Sequence, residues 1–69
     1  MSNEPFSKLP EVGTNWTHHS GRQYRVVMLT NLASQDHIKF PPSVVYEDAS
    51  GVIWSRPVWD FLKNMTQNP

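Results

Sequence analysis

Gln23-Tyr24-Arg25-Val26-Val27-Met28-Leu29-Thr30 is the stretch on which the fold turns. Its β-branched and aromatic residues suit an extended, pleated backbone better than a helix. Side chains alternate across a strand, so Tyr24, Val26 and Met28 fall on one face and Arg25, Val27 and Leu29 on the other. Both faces are apolar apart from Arg25, which predicts a strand at the centre of a sheet. Upstream, Asn15 to His19 reads as a shorter strand, and Ser20-Gly21 as the turn that joins the two in a hairpin.

Downstream, residues 31–42 read as a loop ending in Phe40-Pro41-Pro42, whose tandem prolines force an extended entry into the next segment. Ser43 to Asp48 is the third strand, with Val44 and Tyr46 on one face and Val45 on the other. Ala49-Ser50-Gly51 turns the chain into a fourth strand over residues 52–56, where Val52, Trp54 and Arg56 share a face opposite Ile53. Pro57 suits the first position of a helix. Val58, Phe61, Leu62 and Met65 then recur at i, i+3, i+4 and i+7, which predicts a short helix near 58–65 covering an end of the sheet.

Strands near 15–19, 23–30, 43–48 and 52–56 with one terminal helix make the chain mainly β. The expected architecture is a small SH3-like barrel or a rolled antiparallel sheet with a short C-terminal helix. Residues 1–12 carry Pro5 and Pro10 without periodicity and read as a flexible N-terminal arm. Residues 13–66 form a single small domain, and 67–69 a C-terminal tail.

With 69 residues the chain has room for one thin core, and with no cysteine it has neither disulfides nor thiolate metal sites to support it. Self-association is the remaining common support, so a homodimer or higher homo-oligomer is expected. Lys plus Arg and Asp plus Glu number 6 each, so the chain lacks the overall basic excess by which proteins bind nucleic acid non-specifically or settle on anionic membranes. No apolar run approaches a membrane span, and Met1-Ser2-Asn3-Glu4-Pro5 has none of the regions of a signal peptide. A cytoplasmic location follows as an expectation, and the sequons at Asn15 and Asn64 are read as chance.

Catalytic chemistry finds little foothold. His18 and His19 are adjacent on a strand and are expected on opposite faces, with His37 far along the chain, so no metal site is expected. Glu47 and Asp48 also alternate and make a poor acid–base pair. Asp60 is expected to favour the helix N-terminus electrostatically. There is no Gly-rich phosphate loop and no nucleophile motif, and no cofactor is implied. Trp54 and Arg56 carry the strongest binding chemistry. On one strand face they set an indole plane beside a planar guanidinium, a pair that can stack an aromatic group and hold an anion. Tyr46, on the neighbouring strand, completes that surface. The competing structural role has Trp54 filling the core and Arg56 satisfying carbonyls at the strand-to-helix corner. Three tryptophans exceed what a small core can hold. Trp59, off the helix's apolar stripe, and Trp16 are the candidate interface residues.

These residues resemble the DUF1653 family of small bacterial and phage domains. His18, Gly21, Tyr24 and Val26 match its hairpin, Val44 and Tyr46 its Val-x-Tyr strand, and Trp54, Arg56, Pro57 and Phe61 its Trp-x-Arg-Pro block with a Phe four after the Pro. The likeness covers residues 16–65. The family often has Ala-x-His after the second strand, where this chain has Thr30-Asn31-Leu32. The resemblance implies a compact SH3-like fold and no particular activity.

The function expected is a non-catalytic binding module for a small anionic, nucleotide-like ligand; the free-standing size is also that of phage accessory proteins. The alternative is a protein-interaction domain, an inhibitor or adaptor, that docks on a host protein through exposed tryptophan. A single-stranded nucleic-acid binder fits the zero net charge less well.

Overall fold

The computed structural model describes residues 9–69. Five antiparallel strands form one sheet in the order β4-β3-β2-β1-β5: β1 is Asn15–His18, β2 Gln23–Thr30, β3 Ser43–Asp48, β4 Ile53–Pro57 and β5 Met65–Gln67. The one helix among the described residues, α1 over Val58–Asn64, joins β4 to β5. The chain is mainly β, and of the two expected architectures the rolled sheet describes it: β4 and β5 are the two edges. As its apolar faces demanded, β2 lies at the centre. No helix among the described residues is long and apolar enough to cross a membrane.

The core lies on the face covered by α1. Trp16, Val26, Val44, Tyr46, Val58, Phe61 and Met65 are buried, and Leu9, Tyr24, Leu29 and Leu62 pack against them. Phe61 is the centrepiece. Its ring meets Trp16 of β1 edge-on at 5.0 Å and Tyr46 of β3 at 5.3 Å, so one helical side chain ties together strands on either side of β2. Edge-to-face rings add specific attraction to the area they bury.

Strict alternation fails within β2. Val26 pairs with Tyr46 but Met28 pairs with Val45, so Val27 and Met28 together oppose one residue of β3. This bulge advances the side-chain period by one. Leu29 thus turns toward the core with Tyr24 and Val26, while Met28, expected beside them, is 49% exposed. Without the bulge, Met28 would face the core and Leu29 the solvent.

Boundaries also differ from expectation. The helix ends at Asn64, and Met65-Thr66-Gln67 forms a strand that pairs with β1. Met65 fits a helical apolar stripe and a strand's inward face equally well, so periodicity could not separate them. Pro57 is the N-cap of α1, with Val58 the first helical residue; the Val58 N–H donates to the Pro42 carbonyl at 2.8 Å. Residues 1–8 of the expected arm lie outside the described residues; of the rest, Leu9 packs against the core and Pro10 is buried, while Glu11 and Val12 are exposed.

The turns rest on short polar side chains. Asp48 Oδ1 accepts hydrogen bonds from the Ser50 hydroxyl at 2.7 Å, the Ser50 N–H at 2.9 Å and the Val52 N–H at 3.0 Å. Gly51 closes this turn at φ 84°, a backbone region that glycine enters without steric cost. The bond from Ser50 is the main reason that the Asp48 carboxyl titrates below its ordinary value.

Phe61 is 0% exposed and touches both flanks of the sheet, so Phe61→Ala is expected to cost about 3–5 kcal/mol, the usual loss for a buried aromatic. In a domain this small that loss should abolish cooperative thermal unfolding, whereas Trp59→Ala, on the exposed side of the same helix, should leave the melting temperature within a few degrees. Circular-dichroism melts of the two variants check this.

Candidate functional site

The register of the sheet determines what gathers beside the core. Tyr46 pairs with Trp54 and Val44 with Arg56, so Trp54 and Arg56 project on the same face as the buried residues, but from the edge strand, beyond the cover of the helix. Across the sheet, Trp16 pairs with Tyr24 and His18 with Met65, which sends Tyr24 and His18 toward that same face. Between them opens a cleft of about 360 Å³ lined by His18, Ser20, Arg22, Tyr24, Tyr46, Trp54, Arg56 and Met65. Two arginines, a histidine and three aromatic side chains line it, and among the described residues no carboxylate does.

Arg56 is held from behind. Its Nε donates to the Tyr46 hydroxyl at 2.9 Å, and its Nη1 to Asp60 Oδ2 at 2.8 Å. Those two bonds, Tyr46 first, raise its pKa above the ordinary arginine value, so it is charged at every relevant pH. A guanidinium has five N–H donors, and three remain after these bonds. Asp60 is itself fixed by Asn64, whose side-chain amide donates to Asp60 Oδ1 at 3.0 Å and to the Asp60 carbonyl at 2.9 Å. Asp60 lies in the first turn of α1, as the sequence suggested, and it also orients Arg56.

Trp54 is 46% exposed and so does not fill the core; its indole N–H donates to Asp48 Oδ2 at 3.3 Å. Arg56 satisfies a hydroxyl and a carboxylate, not the carbonyls its structural alternative required. Tyr46 is 3% exposed: its ring belongs to the core, packed edge-on to Tyr24 at 5.0 Å, and its hydroxyl to the Arg56 network.

The tryptophans expected at an interface divide. Trp59 is 57% exposed. Trp16 is buried: it sits in β1 between β2 and β5, faces Phe61, and satisfies its indole N–H with a 2.8 Å bond to the Thr14 hydroxyl. The surplus of tryptophan therefore emerges at Trp54 and Trp59. His18 and His19 depart from the expectation too, because β1 ends at His18 and the chain turns at once; their rings stack with centroids 3.9 Å apart.

His18, Ser20, Arg22 and Tyr24 are the cleft residues that sequence reasoning passed over. Arg22 stands two residues before Tyr24 and shares its parity, a signal that alternation could have used. His18 Nδ1 accepts the Ser20 N–H at 3.1 Å, so the neutral ring carries its proton on Nε2. Partial burial lowers the His18 pKa, helped by the positive charges of His19, Arg56 and Arg22. The same field that discourages a proton on His18 favours an anion in the cleft.

Two other depressions lack this character. One of about 410 Å³ near Asn68 is lined by two carboxylates, Glu47 and Asp48, beside its one arginine, Arg25, which Glu47 pairs at 3.3 Å. The other, over residues 31–40, contains Leu32 and Asp36 and shares no residue with the cleft. Among the described residues, no three histidines or carboxylates gather as metal ligands. No family model, curated protein or solved structure matches the chain.

His18 is expected to titrate below 6.5, and Arg22→Gln to move its pKa upward while Lys63→Gln leaves it in place; imidazole proton shifts across a pH series measure this. A folded-state value below the unfolded one means protonation opposes folding, so this contribution is complete above the unfolded pKa and is lost as pH falls toward the folded one.

Proposed function

We propose that this chain is a non-catalytic binding module whose cleft takes a small anionic ligand with a planar part, of the nucleotide type. The observation that carries the reading is the composition of the cleft, in which two arginines and a histidine stand among three aromatic side chains and no carboxylate is among the described lining residues. Trp54 offers a half-exposed indole face for stacking, a contact that loses little conformational entropy on binding. Arg56 offers three N–H donors without a partner among the described residues, on a guanidinium already oriented by Tyr46 and Asp60, which is the preorganisation that lets a hydrogen-bonding site bind tightly. Arg22 and the His18–Ser20 turn supply the opposite wall.

The module is proposed to work in the cytoplasm as a homodimer. Its size and the DUF1653-like residues fit a phage accessory protein. The exposed Trp59 supports a second reading, docking on a host protein, in which the tryptophan anchors a protein interface.

Titration calorimetry and tryptophan fluorescence with mononucleotides and dinucleotides test the ligand reading. A binder should quench Trp54, and Trp54→Ala should weaken it by about 1–3 kcal/mol, the usual worth of a base–aromatic stack, with little change in melting temperature. Arg22→Ala should weaken binding and flatten its salt dependence. Binding should strengthen as pH falls through the His18 titration, because the anion stabilises the charged imidazole. Nucleotides that bind Trp54→Ala as well as the wild type would remove the cleft from consideration. Arg56→Ala is the less selective variant, since it also strands the buried Tyr46 hydroxyl and Asp60.

A further inference from the structure

β4 is an edge strand with no other strand on its outer side among the described residues, and its hydrogen-bond parity can be read from its ends. The Asp48 N–H donates to the Val52 carbonyl at 3.1 Å, and the Val58 N–H to the Pro42 carbonyl at 2.8 Å. Residues 52 and 58 thus point their backbone groups at β3 and its lead-in, as do Trp54 and Arg56 between them by antiparallel alternation. Ile53, Ser55 and Pro57 point theirs outward. Proline costs the inner ladder nothing there, having no N–H to offer.

Edges are commonly blunted with charge or kept very short. The β5 edge is short: three residues, of which Thr66 and Gln67 are polar and exposed. The β4 edge carries exposed Val52, Ile53 and Trp54 at 47%, 55% and 46%, and among the described residues no strand pairs with the outward groups of Ile53 and Ser55.

We infer that β4 pairs antiparallel with β4 of a second copy about a two-fold axis at Ser55, which joins two five-stranded sheets into one of ten strands. The sequence is self-complementary in this register. Ser55 stands opposite itself, and the two copies exchange both N–H···O bonds there. Each Ile53 N–H reaches the carbonyl of the partner's Pro57. On the cleft face, Trp54 stands opposite the partner's Arg56, and Arg56 opposite the partner's Trp54. The one cation of the strand thus meets an indole twice and never another cation. A two-residue shift of register moves the axis to Trp54, which sets each Arg56 opposite the partner's Val52 and away from its indole, or to Arg56, which sets the two guanidiniums opposite each other, and centring on Pro57 would set the proline ring at the axis with no N–H to exchange. The two clefts then adjoin at the axis. The inference rests on backbone parity and exposure and does not depend on the ligand.

The chain has no cysteine, so a single introduced thiol reports the register. Hydrogen-bonded antiparallel partners have Cα atoms about 5.5 Å apart, inside the roughly 4.4–6.8 Å that a disulfide spans. Under mild oxidation Ser55→Cys should form a covalent dimer faster than Gln35→Cys, an exposed loop control, by on the order of tenfold or more, because pairing holds the thiols at high effective concentration. Ile53→Cys, opposite the partner's Pro57, should lag behind Ser55→Cys. By analytical ultracentrifugation the wild type should sediment as a dimer at tens of micromolar, and Ser55→Pro, which blocks only an outward N–H, as a monomer with its β circular dichroism intact. A monomeric wild type, as expected if the edge serves a foreign strand, overturns the inference. So does Ser55→Cys that cross-links no faster than Gln35→Cys, or a folded Ser55→Pro that remains dimeric. If Ser55→Pro unfolds, the cysteine comparison alone decides.

Discussion

Tyr46 belongs to two systems at once. Its ring lies in the core between Phe61 and Tyr24, and its hydroxyl accepts the Nε–H of Arg56. A hydroxyl at this depth must be paired, because burying it without a partner costs more than the bond gains. Arg56 supplies that partner, and Asp60 and Asn64 then hold the far side of the guanidinium. The cleft is therefore rigid where it joins the core, and displacing Arg56 would strand a buried oxygen.

The same economy runs through the rest of the domain. Among the described residues seven buried apolar side chains form the core, and the chain, which has no cysteine, has no disulfide to support it. Short polar side chains supplement it where the chain reverses. Asp48 gathers the β3–β4 turn, and Asp36 Oδ1 accepts the N–H groups of Ile38 and Lys39 within the long loop. Asn31, at φ 61°, ends β2 and ties that loop to the Pro41 carbonyl with its amide at 3.1 Å. Asparagine tolerates this backbone region better than most residues with a side chain. Loop polarity is thus a working part of the fold, since each bond satisfies a backbone group that a thin core leaves unshielded.

Local signals identified the strands and the helix wherever one pattern dominated. Tyr24 to Leu29 could be nothing but a strand, and Ala49-Ser50-Gly51 nothing but a turn. The pattern was ambiguous at Met65, which fits helix and strand alike, and at Val27, where an inserted residue leaves no compositional trace among β-branched neighbours. The adjacent histidines misled because alternation holds only within a strand, and β1 stops at the first of them.

By itself, the sequence determined the mainly-β class, the central place of β2 and the shared face of Trp54 and Arg56, because each follows from a period of two along a few neighbouring residues. The tertiary structure alone decided that His18, Ser20 and Arg22 would meet that face. Their approach depends on β1 and β2 lying next to β3 in a bent sheet, a relation between segments about thirty residues apart that no local period encodes. It also decided among the tryptophans. All three are alike in composition, but Trp16 lies between two strands and under Phe61, while Trp54 stands on an edge and Trp59 on the outer side of a helix. Burial is a property of position in the finished sheet, and only the long-range pairings set that position.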